Sequence, residues 1–108
     1  KVMEETNIHQ LYEMCQQIAQ RKETTKEEMY NGVQAIYVES CNMLGKKPMK
    51  DKEWERKVKE YQEHGLPLSK CIDGLFVITT TVCTFDDSTN QDVLGGIEKI
   101  YELTIEQL

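Results

Sequence analysis

The stretch CIDGLFVITTTVCTFDD, from Cys71 to Asp87, decides the fold of this 108-residue chain. It is rich in β-branched residues, which favour strands, yet its apolar residues also recur at the spacing of one helix face. As a strand it would be apolar on both faces and would need neighbouring strands, which no other segment of the chain offers. We therefore predict a helix from Ser69 to Thr84, with Ser69 as its N-cap. Its apolar series is Leu68, Cys71, Ile72, Leu75, Phe76, Thr79, Val82 and Cys83.

The same helical periodicity continues outside this stretch and predicts one all-α domain over residues 1–108, a bundle of four to five helices. Each helix has a start signal, a side chain that can accept a hydrogen bond from a free backbone N–H: Thr6 or Asn7, Thr25 with Glu28, Asp51, Ser69, and Thr89. Stop signals follow at Gly45 and Gly65. Glycine inside a helix pattern, at Gly32 and at Gly95–Gly96, indicates close packing of two helices or, for the pair, a kink.

The composition excludes several classes of protein. A hydrophobic fraction of 39% and a charged fraction of 30% are typical of a soluble globular chain. No apolar run approaches the roughly 20 residues that span a membrane, and the N-terminal segment lacks the apolar core of a signal peptide. We therefore expect no membrane partner and a cytoplasmic location. The net charge of −6, with one basic segment at 46–59, does not fit a nucleic-acid binder.

Four cysteines occur without a C-x-x-C pair, so a zinc site has no support and we predict reduced thiols. The most informative polar residue is instead Asp73, which begins the decisive apolar helix. A carboxylate there needs a partner or a metal, because unpaired burial costs several kcal/mol. Glu39 and Asn42 project from one side of the second helix and could share Mg²⁺ with Asp73, since oxygen ligands suit this ion. The alternative is a structural role, in which Asp73 pairs with a lysine or caps backbone.

The segment from Asp73 to Val82, DGLFVITTTV, resembles the D-x-L-(Y/F)-V-x-x-G-T-A helix of MazG-like all-α nucleoside triphosphate pyrophosphohydrolases. The order of helices is also similar. The resemblance implies acids on two helices that hold Mg²⁺ against a triphosphate, which water cleaves between the α and β phosphates. It also implies phosphate-binding lysines, for which the basic segment offers Lys46, Lys47 and Lys50.

The sequence departs from the pattern of that family at the metal-binding acids. Where E-E-x-x-E is expected it reads Glu39-Ser40-Cys41-Asn42, and Ser69 stands where the family has an acid one turn before Asp73. Two-metal hydrolysis relies on several carboxylates. The resemblance therefore implies a degenerate relative without efficient catalysis, and it leaves open whether the protein is an enzyme.

Three functions are consistent with these observations. We favour an all-α protein-interaction or assembly module, which associates with itself as a dimer or with a protein partner, because the apolar faces are unusually wide for a small chain. The second is a Mg²⁺-dependent nucleoside triphosphate pyrophosphohydrolase or nucleotide-binding protein. The third is a carrier of a small apolar ligand in a disulfide-braced bundle.

Overall fold

The computed structural model describes the backbone of residues 2–108 and the side chains of residues 7–108. Its helices are α1 (Val2–Gln20), α2 (Lys26–Leu44), α3 (Asp51–His64), α4 (Ile72–Val82) and α5 (Asn90–Gln107). The described residues contain no strand, so the predicted all-α bundle is confirmed and the decisive stretch is a helix. The radius of gyration of 13.3 Å matches the roughly 13 Å of a compact chain of this length. None of the helices in the described range is both long and apolar enough to cross a bilayer.

Two predicted helix starts and both predicted stops, Gly45 and Gly65, are confirmed. The Thr25 hydroxyl accepts from the Glu28 N–H at 3.2 Å, and the Glu28 carboxylate accepts from the Thr25 N–H. Thr89 and its partner three residues on form the same capping box at the start of α5. At the end of α2, Gly45 has a φ of 68°, a left-handed conformation that glycine adopts without steric cost. The local sequence therefore specifies both ends of α2.

Three predicted starts are wrong, those of α1 and α3 and the predicted Ser69 cap of α4. Helix α1 begins at Val2, so Thr6 and Asn7 lie inside the helix instead of capping it. Helix α3 includes Asp51 as its first residue, and Lys50 occupies the N-cap without a side-chain hydrogen bond. As the first helical residue, Asp51 places its negative charge beside the positive end of the helix dipole, which also stabilises a helix start.

Helix α4 is shorter than predicted. Its N-cap is Cys71, whose sulfur accepts from the Gly74 N–H at 3.3 Å. Ser69 stands outside the helix, with its hydroxyl 3.4 Å from both the sulfur and the backbone nitrogen of Cys71. Leu68 also lies outside the helix and is fully exposed, with a relative accessibility of 103%, so its assignment to the apolar stripe is wrong. A residue three positions before the N-cap no longer follows the helical periodicity.

Helix α4 occupies the middle of the bundle and packs against α2, α3 and α5. Val77 is completely buried although it lies about opposite the predicted stripe, which confirms that this helix is apolar nearly all round. The hydroxyls of Thr79, Thr80 and Thr81 donate to carbonyls one turn back at 2.7–2.9 Å, as predicted. These hydrogen bonds allow three polar side chains to be buried at once.

The interior glycines mark close helix contacts. A Cβ atom on Gly32 would stand 3.1 Å from the Cys15 sulfur on α1, and one on Gly96 would stand under 3.0 Å from three atoms of Thr79 on α4. A Cβ on Gly95 would meet nothing within 4 Å. The predicted close packing is therefore confirmed for Gly32 and for the second glycine of the pair.

Candidate functional site

The Asp73 carboxylate is the centre of a hydrogen-bond network that joins three parts of the chain. It accepts from the Tyr37 hydroxyl of α2 at 2.7 Å and forms an ion pair with Lys46. The Tyr37 hydroxyl in turn accepts from the Met49 N–H at 2.8 Å. Burial and the hydrogen bond to Asp73 both raise the pKa of Tyr37 above its usual range. The network ties the α2–α3 connection onto the start of α4.

Asp73 forms no hydrogen bond or ion pair with Glu39 or Asn42, the other two residues of the predicted cation site. Tyr37 reaches Asp73 from α2, and two residues further along a helix correspond to a rotation of about 200°, so Glu39 projects from the other side of α2. Asn42 is exposed, and Glu39 is half-buried. Within residues 7–108, no group of three His, Cys, Asp or Glu side chains could hold a metal ion. The Lys46 ammonium neutralises Asp73 instead, and Mg²⁺ binding by Glu39, Asn42 and Asp73 stays a prediction.

The predicted phosphate-binding lysines lie on the connection between α2 and α3. Lys46 is paired with Asp73, whereas Lys47 and Lys50 are exposed. Lys50 is also the N-cap residue of α3. The ammonium groups of Lys47 and Lys50 therefore form no ion pair with an acid of the described residues. Phosphate binding by the three lysines stays a prediction.

A separate feature, which sequence reasoning did not identify, is an aromatic pocket between α2 and α3. No Cα atoms of these two helices approach within 8 Å, so a gap of about 410 Å³ remains between them. Tyr37 and Phe76 form its floor as a stacked pair with ring centroids 3.9 Å apart. Tyr30 and Trp54 form its walls, with ring centroids 6.2 Å apart and planes inclined by 50°.

The rim of the aromatic pocket is acidic. Asp51 and Glu55, both exposed, lie one helical turn apart on α3. Asp51 is close enough to Tyr30 to contribute, after burial, to the raised pKa of that phenol. The indole N–H of Trp54 donates to the Thr80 hydroxyl at 2.9 Å, which fixes the ring in the wall. Sequence periodicity placed Trp54 on an inner helix face, but the gap beside it depends on how two helices sit on a third.

A second depression, the α4–α5 groove, lies between those two helices. Leu75, Ile78 and Val82 supply its apolar wall. Gly95 and Gly96 add no side chains to the opposite wall, which also includes Asp92 and Lys99. Its volume is about 390 Å³. Leu68 stands at one end of this groove with its side chain fully exposed. The groove and the exposed leucine therefore share one face of the molecule.

No family model matches this sequence, and comparisons with curated proteins and with solved structures found no match. The resemblance to MazG-like proteins is thus neither supported nor contradicted by them. Functional inference for this chain depends on the geometry of its own residues.

Proposed function

We propose that this protein is a helical assembly module that associates with a second copy of itself through the α4–α5 groove. The observation that carries the proposal is the position of Leu68, fully exposed beside an apolar groove of about 390 Å³. Complete burial of a leucine side chain contributes roughly 1.5–3 kcal/mol. Burial of this fully exposed leucine in an unfilled apolar groove would therefore contribute favourable free energy to association.

The arrangement suits a symmetric dimer. In a two-fold interface the same surface serves both copies, so a knob and a groove on one face can be used twice. Leu68 of each copy would enter the groove of the other and pack against Ile78 and Val82, both only half-buried in the single chain. The two insertions together would bury both leucines.

The charges around the groove agree with this geometry. Asp92 and Lys99 both line it, so antiparallel placement of two copies can set the acid of one opposite the lysine of the other. Rim pairs of this kind contribute mainly to orientation. The net charge of −6 on each copy opposes association, and salt screens that repulsion. Dimerisation should therefore strengthen as ionic strength rises.

Light scattering and sedimentation over a concentration series test the proposal. We expect a dimer for the natural chain and a monomer for Leu68→Asp, with an unchanged melting temperature at low concentration because Leu68 makes no buried contact in the single chain. Leu66→Asp is the control. Leu66 lies on the same connection, is 43% exposed and does not line the groove, so its replacement should leave the dimer intact. A natural chain that stays monomeric at all concentrations would overturn the proposal.

A further inference from the structure

We infer that the aromatic pocket between α2 and α3 is a binding site for a small organic cation, an amine with an apolar body. The inference does not rest on self-association, because the α4–α5 groove is lined by other residues. It rests on two properties of the pocket that point to the same ligand chemistry, the aromatic lining and the charge of the rim.

The first property is the aromatic lining. Tyr30, Tyr37, Trp54 and Phe76 all contribute to a pocket whose volume, about 410 Å³, lies within the roughly 300–1,000 Å³ of small-molecule sites. Aromatic faces carry negative partial charge and attract a cation that lies within about 6 Å of the ring centroid, with tryptophan the strongest. Tyr30 and Trp54 place two such rings side by side along the pocket, with centroids 6.2 Å apart.

The second property is the charge around the opening. Asp51 and Glu55 are the charged residues that line the pocket, and the lining includes no lysine or arginine from the described part of the chain. Lys50 and Lys52 flank Asp51 in sequence but are exposed and do not line the pocket. An ammonium group at the opening would meet two carboxylates, whereas a carboxylate or phosphate would be repelled.

The floor explains why the ligand should have an apolar body. The Tyr37 hydroxyl already has both its partners, Asp73 and the Met49 N–H, and the Phe76 ring offers no hydrogen bond. Deep in the pocket a polar group would therefore lose water without gaining a new partner, whereas an aromatic or aliphatic group would stack on the paired rings. The predicted ligand is thus apolar at one end and cationic at the other.

The chain carries its own reporter for this site, since Trp54 is its single tryptophan. Three probes of one shape test the charge preference: 2-phenylethylamine, 2-phenylethanol and 3-phenylpropionate, titrated against Trp54 fluorescence and the melting temperature. For probes this small we expect the amine to bind with a dissociation constant on the order of 1 mM. The alcohol should bind about 5- to 10-fold more weakly, and the carboxylate more weakly still.

Paired variants separate the pocket from the general charge of the protein. Asp51→Asn with Glu55→Gln should bring the affinity for the amine down to that for the alcohol. Glu53→Gln with Glu60→Gln makes the same charge change on the same helix, outside the pocket, and should leave the amine affinity within about 2-fold. Glu53 lies in the first turn of α3, as Asp51 does, so the loss of helix-dipole stabilisation is matched.

Two results would overturn the inference. One is equal binding of the alcohol and the amine, or stronger binding of the carboxylate. The other is an equal loss of amine affinity in the pocket variant and in the control variant when both remain folded. Absence of any saturable Trp54 response to millimolar amine would count equally against it. None of these results bears on whether Leu68 mediates a dimer.

Discussion

The two sides of α4 are packed in different ways. Towards α5, Thr79 lies against Gly96 so closely that no Cβ atom fits between them. Towards α3, the next residue, Thr80, meets Trp54 through a hydrogen bond, and the aromatic pocket opens beside that contact. Two neighbouring threonines thus serve a tight helix contact on one side and an open, partly polar contact on the other.

The size of the side chain at each crossing point accounts for the difference. Glycine lets two helix backbones approach, and the separation of packed helices follows the side chains at the contact. Tyr30 and Trp54 project into the space between α2 and α3, and their rings meet where the backbones do not. We therefore expect the fold to be destabilised by added side-chain volume on the α5 side of α4. On the open side, towards α2 and α3, we expect it to be destabilised mainly by the loss of hydrogen bonds.

The largest expected effect is that of Gly96→Ala, which should destabilise the fold by about 3 kcal/mol because the new methyl group overlaps Thr79. Gly95→Ala is the matched control. Its methyl group meets nothing within 4 Å, and alanine favours a helix over glycine, so it should stabilise the fold by up to about 1 kcal/mol. Urea unfolding followed by circular dichroism measures both. Equal effects at the two glycines would show that the α4–α5 contact is not close.

On the open side, Tyr37→Phe should destabilise the fold by about 2 kcal/mol. The substitution removes the hydroxyl that donates to Asp73 and leaves the Met49 N–H without its acceptor. Tyr30→Phe is the control, since its hydroxyl only accepts from Gln34 at the exposed edge, and it should cost less than about 0.5 kcal/mol. The same urea experiment compares them. A negligible effect of Tyr37→Phe would mean that the network does not hold the α2–α3 connection.

A smaller effect, about 1 kcal/mol or less, is expected for Asp73→Asn. Asparagine still accepts from Tyr37, and the lost ion pair with Lys46 is about a third exposed and screened by water. If Asp73 is a structural anchor, the loss is the same with and without millimolar Mg²⁺. If Mg²⁺ stabilises the natural chain and this stabilisation is lost in both Asp73→Asn and Glu39→Gln, the result would instead support the predicted cation site.

The smallest expected effect concerns the reactivity of the Cys71 thiol, at the N-terminus of α4. Hydrogen bonds from Ser69 and from the Gly74 N–H lower the pKa of this exposed thiol, whereas burial raises the pKa values of the other cysteines, Cys15, Cys41 and Cys83. A lower pKa means more thiolate at a given pH, so Cys71 should react first with iodoacetamide, and its reaction should begin at lower pH.

Peptide mapping after limited alkylation identifies the thiol that reacts first. Ser69→Ala should move the pH profile of Cys71 upwards without changing the fold, since Ser69 lies outside α4. Faster alkylation of Cys83 than of Cys71 would contradict the assigned cap geometry. So would a pH profile of Cys71 alkylation that is the same in the natural chain and in Ser69→Ala.

The fold class and several of the helix ends could be predicted from the sequence. The helical spacing of apolar residues around Leu75, the capping box at Thr25 and the left-handed stop at Gly45 each depend on neighbours within one turn. For the same reason the burial of three consecutive threonines was predictable, because each hydroxyl finds its acceptor one turn back in its own helix.

The candidate sites depended on tertiary structure. Asp73 was recognised from the sequence as a residue that needs a partner. Several lysines and hydrogen-bond donors could have supplied one, and only the packing selects Lys46 and Tyr37. The aromatic pocket exists because α2 and α3 both pack on α4 while their own backbones stay apart. Leu68 is exposed because α4 begins three residues later than predicted. Periodicity describes one helix at a time. The spaces between helices are fixed by long-range contacts, which the spacing of residues along the chain does not predict.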